Sequence, residues 1–277
     1  LEPHIVDPPE PRPAPSKRPV GIRFRDVTFR YPDSGRAALE RFSLDVPAGR
    51  IIAVVGPNGA GKSTLVKLLC RLYDPDVGSI EIDGVDLRDY KVADLRAMIT
   101  VLFQEPVKYW QSVEENVSLS SLAAQPTPPQ VRSAIRSAGA STLVEALPNG
   151  YHTMLGRRYG DGSELSTGEW QRIALARAFV RQCPIIALDE PTSALDPWAE
   201  ADWFRRFRAA AAQRTAIIIT HRLSTAMQAD TIHVMKDGRI IESGSHEDLL
   251  AREGAYADSW NDHLVPASVH AARAMAV

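Results

Sequence analysis

The nine residues Gly56-Pro57-Asn58-Gly59-Ala60-Gly61-Lys62-Ser63-Thr64 lie between the apolar run Ile51 to Val55 and a helix-compatible stretch, Leu65 to Leu72. A strand, glycines, Lys-Ser and a helix in that order are the setting of a phosphate-binding P-loop. The glycines let successive backbone N–H groups turn toward phosphate oxygens, and the helix start adds the positive end of its dipole. Lys62 is then placed to reach the β- and γ-phosphates of a nucleoside triphosphate, and Ser63 to ligate Mg²⁺. A ligand-free glycine-rich turn is the plainer alternative, and it requires all these features to coincide by chance. A second apolar run, Ile185 to Leu188, ends in Asp189-Glu190, two carboxylates at the strand end where ligands gather in α/β sheets. Asp189 suits Mg²⁺ held through its water shell, and Glu190 suits polarising the water that attacks the γ-phosphate. Two acids stabilised by a helix dipole would read the same in isolation. Beside a P-loop, the catalytic reading dominates.

These residues need elements to hold them. Ile22 to Phe29, Phe42 to Val46 and Met98 to Phe103 read as strands, and Ile80 to Ile82 begins a strand pair turning at Asp83-Gly84. Thr127-Pro128-Pro129-Gln130 combines a capping Thr, an N-terminal proline and a Gln three residues on, so a helix is expected there. Leu165-Ser166-Thr167-Gly168-Glu169-Trp170-Gln171-Arg172 opens another helix, to about Arg181, with Ser166 and Glu169 as a capping box. A helix from about Ala199 to Ala212, a strand Thr215 to Thr220, a hairpin around Lys236-Asp237-Gly238 and a helix capped by Ser245 follow. Alternating strands and helices predict an α/β fold with a mainly parallel sheet.

The bulk properties narrow the class. A formal net charge of −2 offers no basic field to capture nucleic acid. The two cysteines, Cys70 and Cys183, sit in apolar segments without metal-type spacing and read as buried thiols. No run approaches a membrane span, so the chain as given is expected to be soluble. It begins without methionine, and residues 1–20 hold seven prolines, a composition that favours extended polyproline II over a packed core. That stretch reads as a linker leaving a preceding domain.

With the P-loop, the Asp-Glu pair and Leu165 to Arg172 in place, the chain resembles the nucleotide-binding domain of ABC transporters over about residues 20–262. The resemblance implies a P-loop NTPase core with an antiparallel β subdomain and a helical subdomain at about 105–182. It also implies ATP with Mg²⁺ as ligands. Ser166, Thr167, Gly168 and Glu169 then form the signature loop, whose Ser and Gly bind the γ-phosphate of ATP on an opposite subunit. Tyr31 becomes the aromatic residue that stacks on adenine, and Gln104 the Q-loop residue, near Mg²⁺ and the attacking water. Asp196 falls in the D-loop, and His221 is the switch histidine.

Leu68 to Pro75, Ile82 to Leu87, Glu115-Asn116-Val117 and His221 to Thr225 resemble the exporter branch, in which this domain follows a membrane domain. The implied whole works on the cytoplasmic side of a membrane as a head-to-tail pair, homodimeric or heterodimeric, with no nucleic acid partner. Residues 1–20 are then the joint to the membrane domain, 21–262 the ATP-binding domain and 263–277 a tail. Lys108-Tyr109-Trp110 lie where exporters meet the coupling helices of the membrane domain, unless they are ordinary aromatic core. A separate importer subunit and a soluble ABC protein of translation or repair are the alternative implications. Thr167 stands where glycine is usual, a β-branched residue that obstructs close backbone approach to phosphate unless a helical φ accommodates it, and Glu169 stands where glutamine is usual, putting a carboxylate near an anionic ligand. Gly156 to Glu164 is longer than the usual exporter segment and lacks its Glu-Arg-Gly.

Overall fold

Ile51–Val55, Ile185–Asp189 and Thr215–Ile219 are buried along their whole length, as a parallel sheet covered on both faces requires. The computed structural model describes residues 5–15, 19–121, 125–157, 162–193, 195 and 197–264. In chain order, β1 (Ile22–Arg30) and β2 (Ala37–Val46) precede β3 (Ile51–Val55), which feeds α1 (Lys62–Leu69). Then come β4 (Val77–Ile82), β5 (Val85–Asp86), α2 (Val92–Ala97) and β6 (Ile99–Leu102). Residues 105–182 hold α3 (Val113–Ser118), α4 (Pro128–Ser137), α5 (Ser141–Ala146) and α6 (Thr167–Val180). The chain returns through β7 (Ile185–Asp189), α7 (Pro197–Ala210), β8 (Thr215–Ile219) and α8 (Leu223–Ala226). It continues with β9 (Thr231–Lys236), β10 (Arg239–Gly244), α9 (His246–Ala251) and α10 (Ala255–Leu264).

The main sheet has the order β10-β9-β3-β8-β7-β6. It is parallel except for the edge hairpin β9-β10. A second, antiparallel sheet has the order β2-β1-β4-β5. Side chains alternate across the central strands. Ile185 and Ala187 face the layer holding α1 and the second sheet, whereas Ile186 and Leu188 face α6 and α7. The α/β core and antiparallel subdomain implied by the resemblance are thus both present.

Some boundaries differ from the sequence reading. The P-loop helix starts at Lys62, three residues before Leu65, because Gly61 in the left-handed conformation acts as its N-cap. β2 starts at Ala37 rather than Phe42 and reaches β1 through irregular register, which no local propensity announces. Capping boxes occur at Ser112, Thr127, Ser166 and Ser245.

Prolines 8, 9, 11, 13 and 15 do not leave their segment detached from the domain. The Val92 N–H donates to Asp7 Oδ1 at 2.7 Å, Arg71 Nη2 to the Val6 carbonyl at 3.1 Å, and the Arg12 N–H to the Asp89 carbonyl at 2.7 Å. Residues 5–15 therefore run over the end of α1 and the start of α2. Both cysteines are buried free thiols, and burial pushes Cys70 up to about 12.

Candidate functional site

A cleft of about 680 Å³ opens at the C-terminal ends of β3, β7 and β8, and it is lined by the P-loop, Gln104, Asp189, Glu190, His221 and Tyr31. Its size suits a small ligand. Residues separated by as many as 190 positions in the chain meet here because parallel strands end at one edge. In the P-loop, Gly56 has φ 150° and Gly61 φ 98°. A Cβ would come 2.1 Å from the Met235 carbonyl oxygen at Gly56, and 2.3 Å from that of Ala38 at Gly61. Only glycine fits either place.

Lys62 is buried, and its ammonium donates to the carbonyls of Gly56 at 2.6 Å and Pro57 at 2.9 Å. The side chain thus arches over the loop, with its charge at the loop's mouth. Burial lowers its pKa, against the opposing pull of Glu190 and Asp189.

Glu190 is 6% exposed and has φ 52°, a conformation sparsely populated by residues other than glycine and one that concentrates at functional sites. Neighbours hold it there: its N–H donates to the Ile219 carbonyl at 2.8 Å, and its carbonyl accepts from Gln171 Nε2 at 2.9 Å. Its Oε2 is buried with no aligned hydrogen bond, and His221 Nδ1 stands 2.8 Å away. A carboxylate with a free lone pair beside an imidazole is equipped to accept a proton from water.

Burial holds the Asp189 carboxyl above the usual aspartate range, partly offset by a hydrogen bond from Ser63, raised further by Glu190 and lowered by Lys62. Among the described residues, no three His, Cys, Asp or Glu side chains gather as a metal site of their own. The Ser63 hydroxyl and Asp189 carboxylate instead offer two hard oxygen donors beside the P-loop, a set that suits a cation completing its shell with phosphate and water.

The folded Asp189 value lies above the unfolded one, about 3.9. Its favourable contribution to stability is therefore complete below the unfolded value and is lost as pH rises through the folded one. Asp189→Asn should raise the melting temperature of nucleotide-free protein at pH 7, with the gain shrinking toward pH 4. Thermal scans at both pH values check this. A lower Tm at pH 7 would mean that the carboxylate's hydrogen bonds outweigh its burial.

Tyr31 is half-buried at the rim. Its hydroxyl lies 3.1 Å from Thr64 Oγ1, and the Lys67 ammonium lies 5.1 Å from its ring centroid. The ring also meets Phe29 and Tyr73 edge-on, with centroids at 5.0 and 5.4 Å. It is both packed and presented to the cleft.

Ser166, Thr167, Gly168 and Glu169 do not line this cleft. Ser166 and Thr167 are exposed at the start of α6. The Glu169 carboxylate closes the expected capping box: its Oε2 accepts from the Ser166 N–H at 2.8 Å. Asp196 lies outside the described residues. Sequence reasoning missed Ala38, a strand alanine on the cleft rim, and Gln171, which also donates to Ser193 Oγ at 3.2 Å. Nothing in an isolated alanine or helical glutamine signals such placement.

A family model described as ABC transporter matches residues 39–193. The chain is 42% identical over 236 residues to an ATP-dependent lipid A-core flippase of Thiobacillus denitrificans, covering 85% of this chain and 40% of that protein. It is 42% identical to multidrug resistance protein homolog 65 of Drosophila melanogaster, covering 85% of this chain and 18% of that protein. Among solved structures, a bacterial Atm1-family ABC exporter with ATP bound matches with a TM-score of 0.87 at 39% identity, over 95% of this chain and 45% of that one. The chain therefore spans less than half the length of these relatives. A P-loop cleft of this geometry, a family match through the P-loop and the Asp-Glu pair, and a solved ATP-bound relative agree: this chain belongs to the ABC transporter family, as an ATPase domain.

Proposed function

We propose that this domain drives export through a membrane domain in the same or a partner polypeptide, working as a head-to-tail pair on the cytoplasmic side of the membrane. The observation that carries the paired reading is the separation of Ser166 to Glu169 from the cleft of their own chain. The exposed start of α6 carries the positive end of its helix dipole, which favours a phosphate. A second subunit turned head to tail would bring one to it. The solved relative, an Atm1-family ABC exporter, supports the direction of transport.

In this reading the P-loop N–H groups and Lys62 bind the β- and γ-phosphates of ATP, and Tyr31 stacks on adenine. Mg²⁺ would be held by Ser63, Gln104 and Asp189, and when bound it neutralises charge on the phosphates. Glu190 takes the proton of the attacking water, with His221 orienting that carboxylate and the γ-phosphate. Ser166, Thr167, Gly168 and Glu169, with Asp196, serve the partner's ATP. Residues 1–20 connect to the membrane domain. Tyr109 and Trp110 are 38% and 45% exposed, beside Phe103 at 41% and Val107 at 60%, too open for core. They favour docking to the coupling helices.

Tyr31→Ala should weaken ATP binding by roughly 1 to 3 kcal/mol, with nucleobase stacking as the analogy, or about tenfold or more. Titration of labelled ATP measures it, and unchanged affinity in a folded variant would leave Tyr31 as packing only. The paired reading is tested by restoring Gly and Gln at positions 167 and 169. Sedimentation with and without ATP should show stronger ATP-dependent dimerisation of the double variant, with monomer ATP binding unchanged. Glutamine also closes a capping box, so Glu169→Gln should not unravel α6. A variant that dimerises no better would show that both natural residues are tolerated at the interface.

A further inference from the structure

Arg222 directly follows His221, and its guanidinium ties three places together. Nη1 donates to the Leu195 carbonyl at 2.8 Å and to Glu200 Oε2 at 2.9 Å, and Nη2 donates to the Ser193 carbonyl at 3.2 Å. Glu200, on the first turns of α7, is only 4% exposed. Its Oε1 accepts from Ser224 Oγ at 2.8 Å and from the Thr225 hydroxyl. Thr225 Oγ1 in turn lies 3.3 Å from Thr192 Oγ1. Through Arg222 and Thr225, one buried carboxylate thereby ties residues 222–225, after β8, to Thr192, Ser193 and Leu195, after β7.

A buried ion pair is a poor way to gain stability, since apolar side chains of the same volume often do as well. A planar guanidinium with several fixed donors is, however, well suited to holding backbone carbonyls in one geometry. What it holds here is the frame of the reacting groups. Glu190 precedes Thr192 by two residues, His221 precedes Arg222 by one, and Glu190 Oε2 and His221 Nδ1 face each other at 2.8 Å. Gln171 adds a third tie, from α6 to the Glu190 carbonyl and Ser193 Oγ.

We propose that Glu200 is a positioning residue for ATP hydrolysis: through Arg222 it locks the His221 segment against the segment that follows Glu190. The proposal rests on the reading of Glu190 and His221 as the hydrolytic pair. Neither Glu200 nor Arg222 touches the cleft, so the expected signature is a loss of turnover without a loss of binding. Displacement of a reacting group by about 1 Å costs on the order of a hundredfold in rate.

E200Q keeps the volume but turns an amide toward Arg222, and R222K keeps the charge but cannot span three acceptors. Each should lower kcat by about 10- to 100-fold, measured where parental turnover per molecule no longer rises with protein concentration, while the Kd for ATP stays parental. E200Q combined with His221→Ala should be no slower than His221→Ala alone, because a residue that acts through another adds nothing once that one is gone. A merely structural residue would add its own loss. Parental kcat in folded E200Q, or an additive double variant, overturns the proposal. If E200Q fails to fold, parental kcat in R222K overturns it equally. Glu190→Gln run alongside separates the two ideas: full turnover there removes the hydrolytic pair itself, whereas loss there with parental turnover in E200Q removes only the strut.

Discussion

Glu190→Gln should lower ATP hydrolysis by roughly 10² to 10⁴ while ATP still binds, because the amide keeps the shape and removes the base. The structure gives two reasons for expecting the upper part of that range. Glu190 is held at φ 52° by its neighbours, and its Oε2 is buried with His221 Nδ1 at 2.8 Å. Among the described residues of the cleft the other carboxylate is Asp189, which is buried and hydrogen-bonded to Ser63 rather than free to replace it. In the paired mechanism hydrolysis separates the subunits, so the variant should also accumulate as an ATP-bound dimer. Parental turnover per molecule should rise with protein concentration, because two separate copies must meet. Phosphate release and molar mass measured on one preparation with Mg-ATP test both. Near-normal turnover would take Glu190 out of the catalytic role, and lost turnover without an ATP-bound dimer would count against pairing.

Lys62→Met is expected to weaken ATP binding by about 2 to 5 kcal/mol, the range for truncating one partner of a buried, hydrogen-bonded charge pair. At the lower end this is already about thirtyfold in Kd. The methionine stem keeps the packing of a side chain that is 8% exposed, so the change is chiefly one of charge. It also leaves Asp189 and Glu190 without the cation that faces both. Labelled-ATP titration of the folded variant decides the matter. Parental affinity would leave Lys62 only the task of pinning the loop through the Gly56 and Pro57 carbonyls.

Lys62 and Glu190 share one cleft but differ in how legible their surroundings are in the chain. The P-loop is a local device. Its glycines, its lysine and the helix start lie within nine residues, and each is demanded by backbone geometry that sequence neighbours define. The capping boxes at Thr127, Ser166 and Ser245 are local in the same sense, because a side chain reaches only three or four residues along a helix start. Burial on both faces was equally readable from the runs Ile51 to Val55 and Ile185 to Leu188, since a parallel sheet has no polar face to alternate with.

Long-range matters were settled elsewhere. Residues 1–20 were read from composition as a linker, and within them Val6, Asp7 and Arg12 make hydrogen bonds to the domain; composition describes the isolated chain, not the surface it meets. Local rules of propensity, patterning and capping, which act over a few residues, were enough for the glycine-rich loop, the Asp-Glu pair at a strand end and the alternating α/β order. The positive φ of Glu190, the placement of Gln171 and Glu200 behind Glu190 and His221, and the distance of Ser166 to Glu169 from their own cleft arose only in the assembled fold. Those outcomes follow from the register of β7 beside β8 and the packing of α6 and α7 against them, which bring together residues that no local rule can pair.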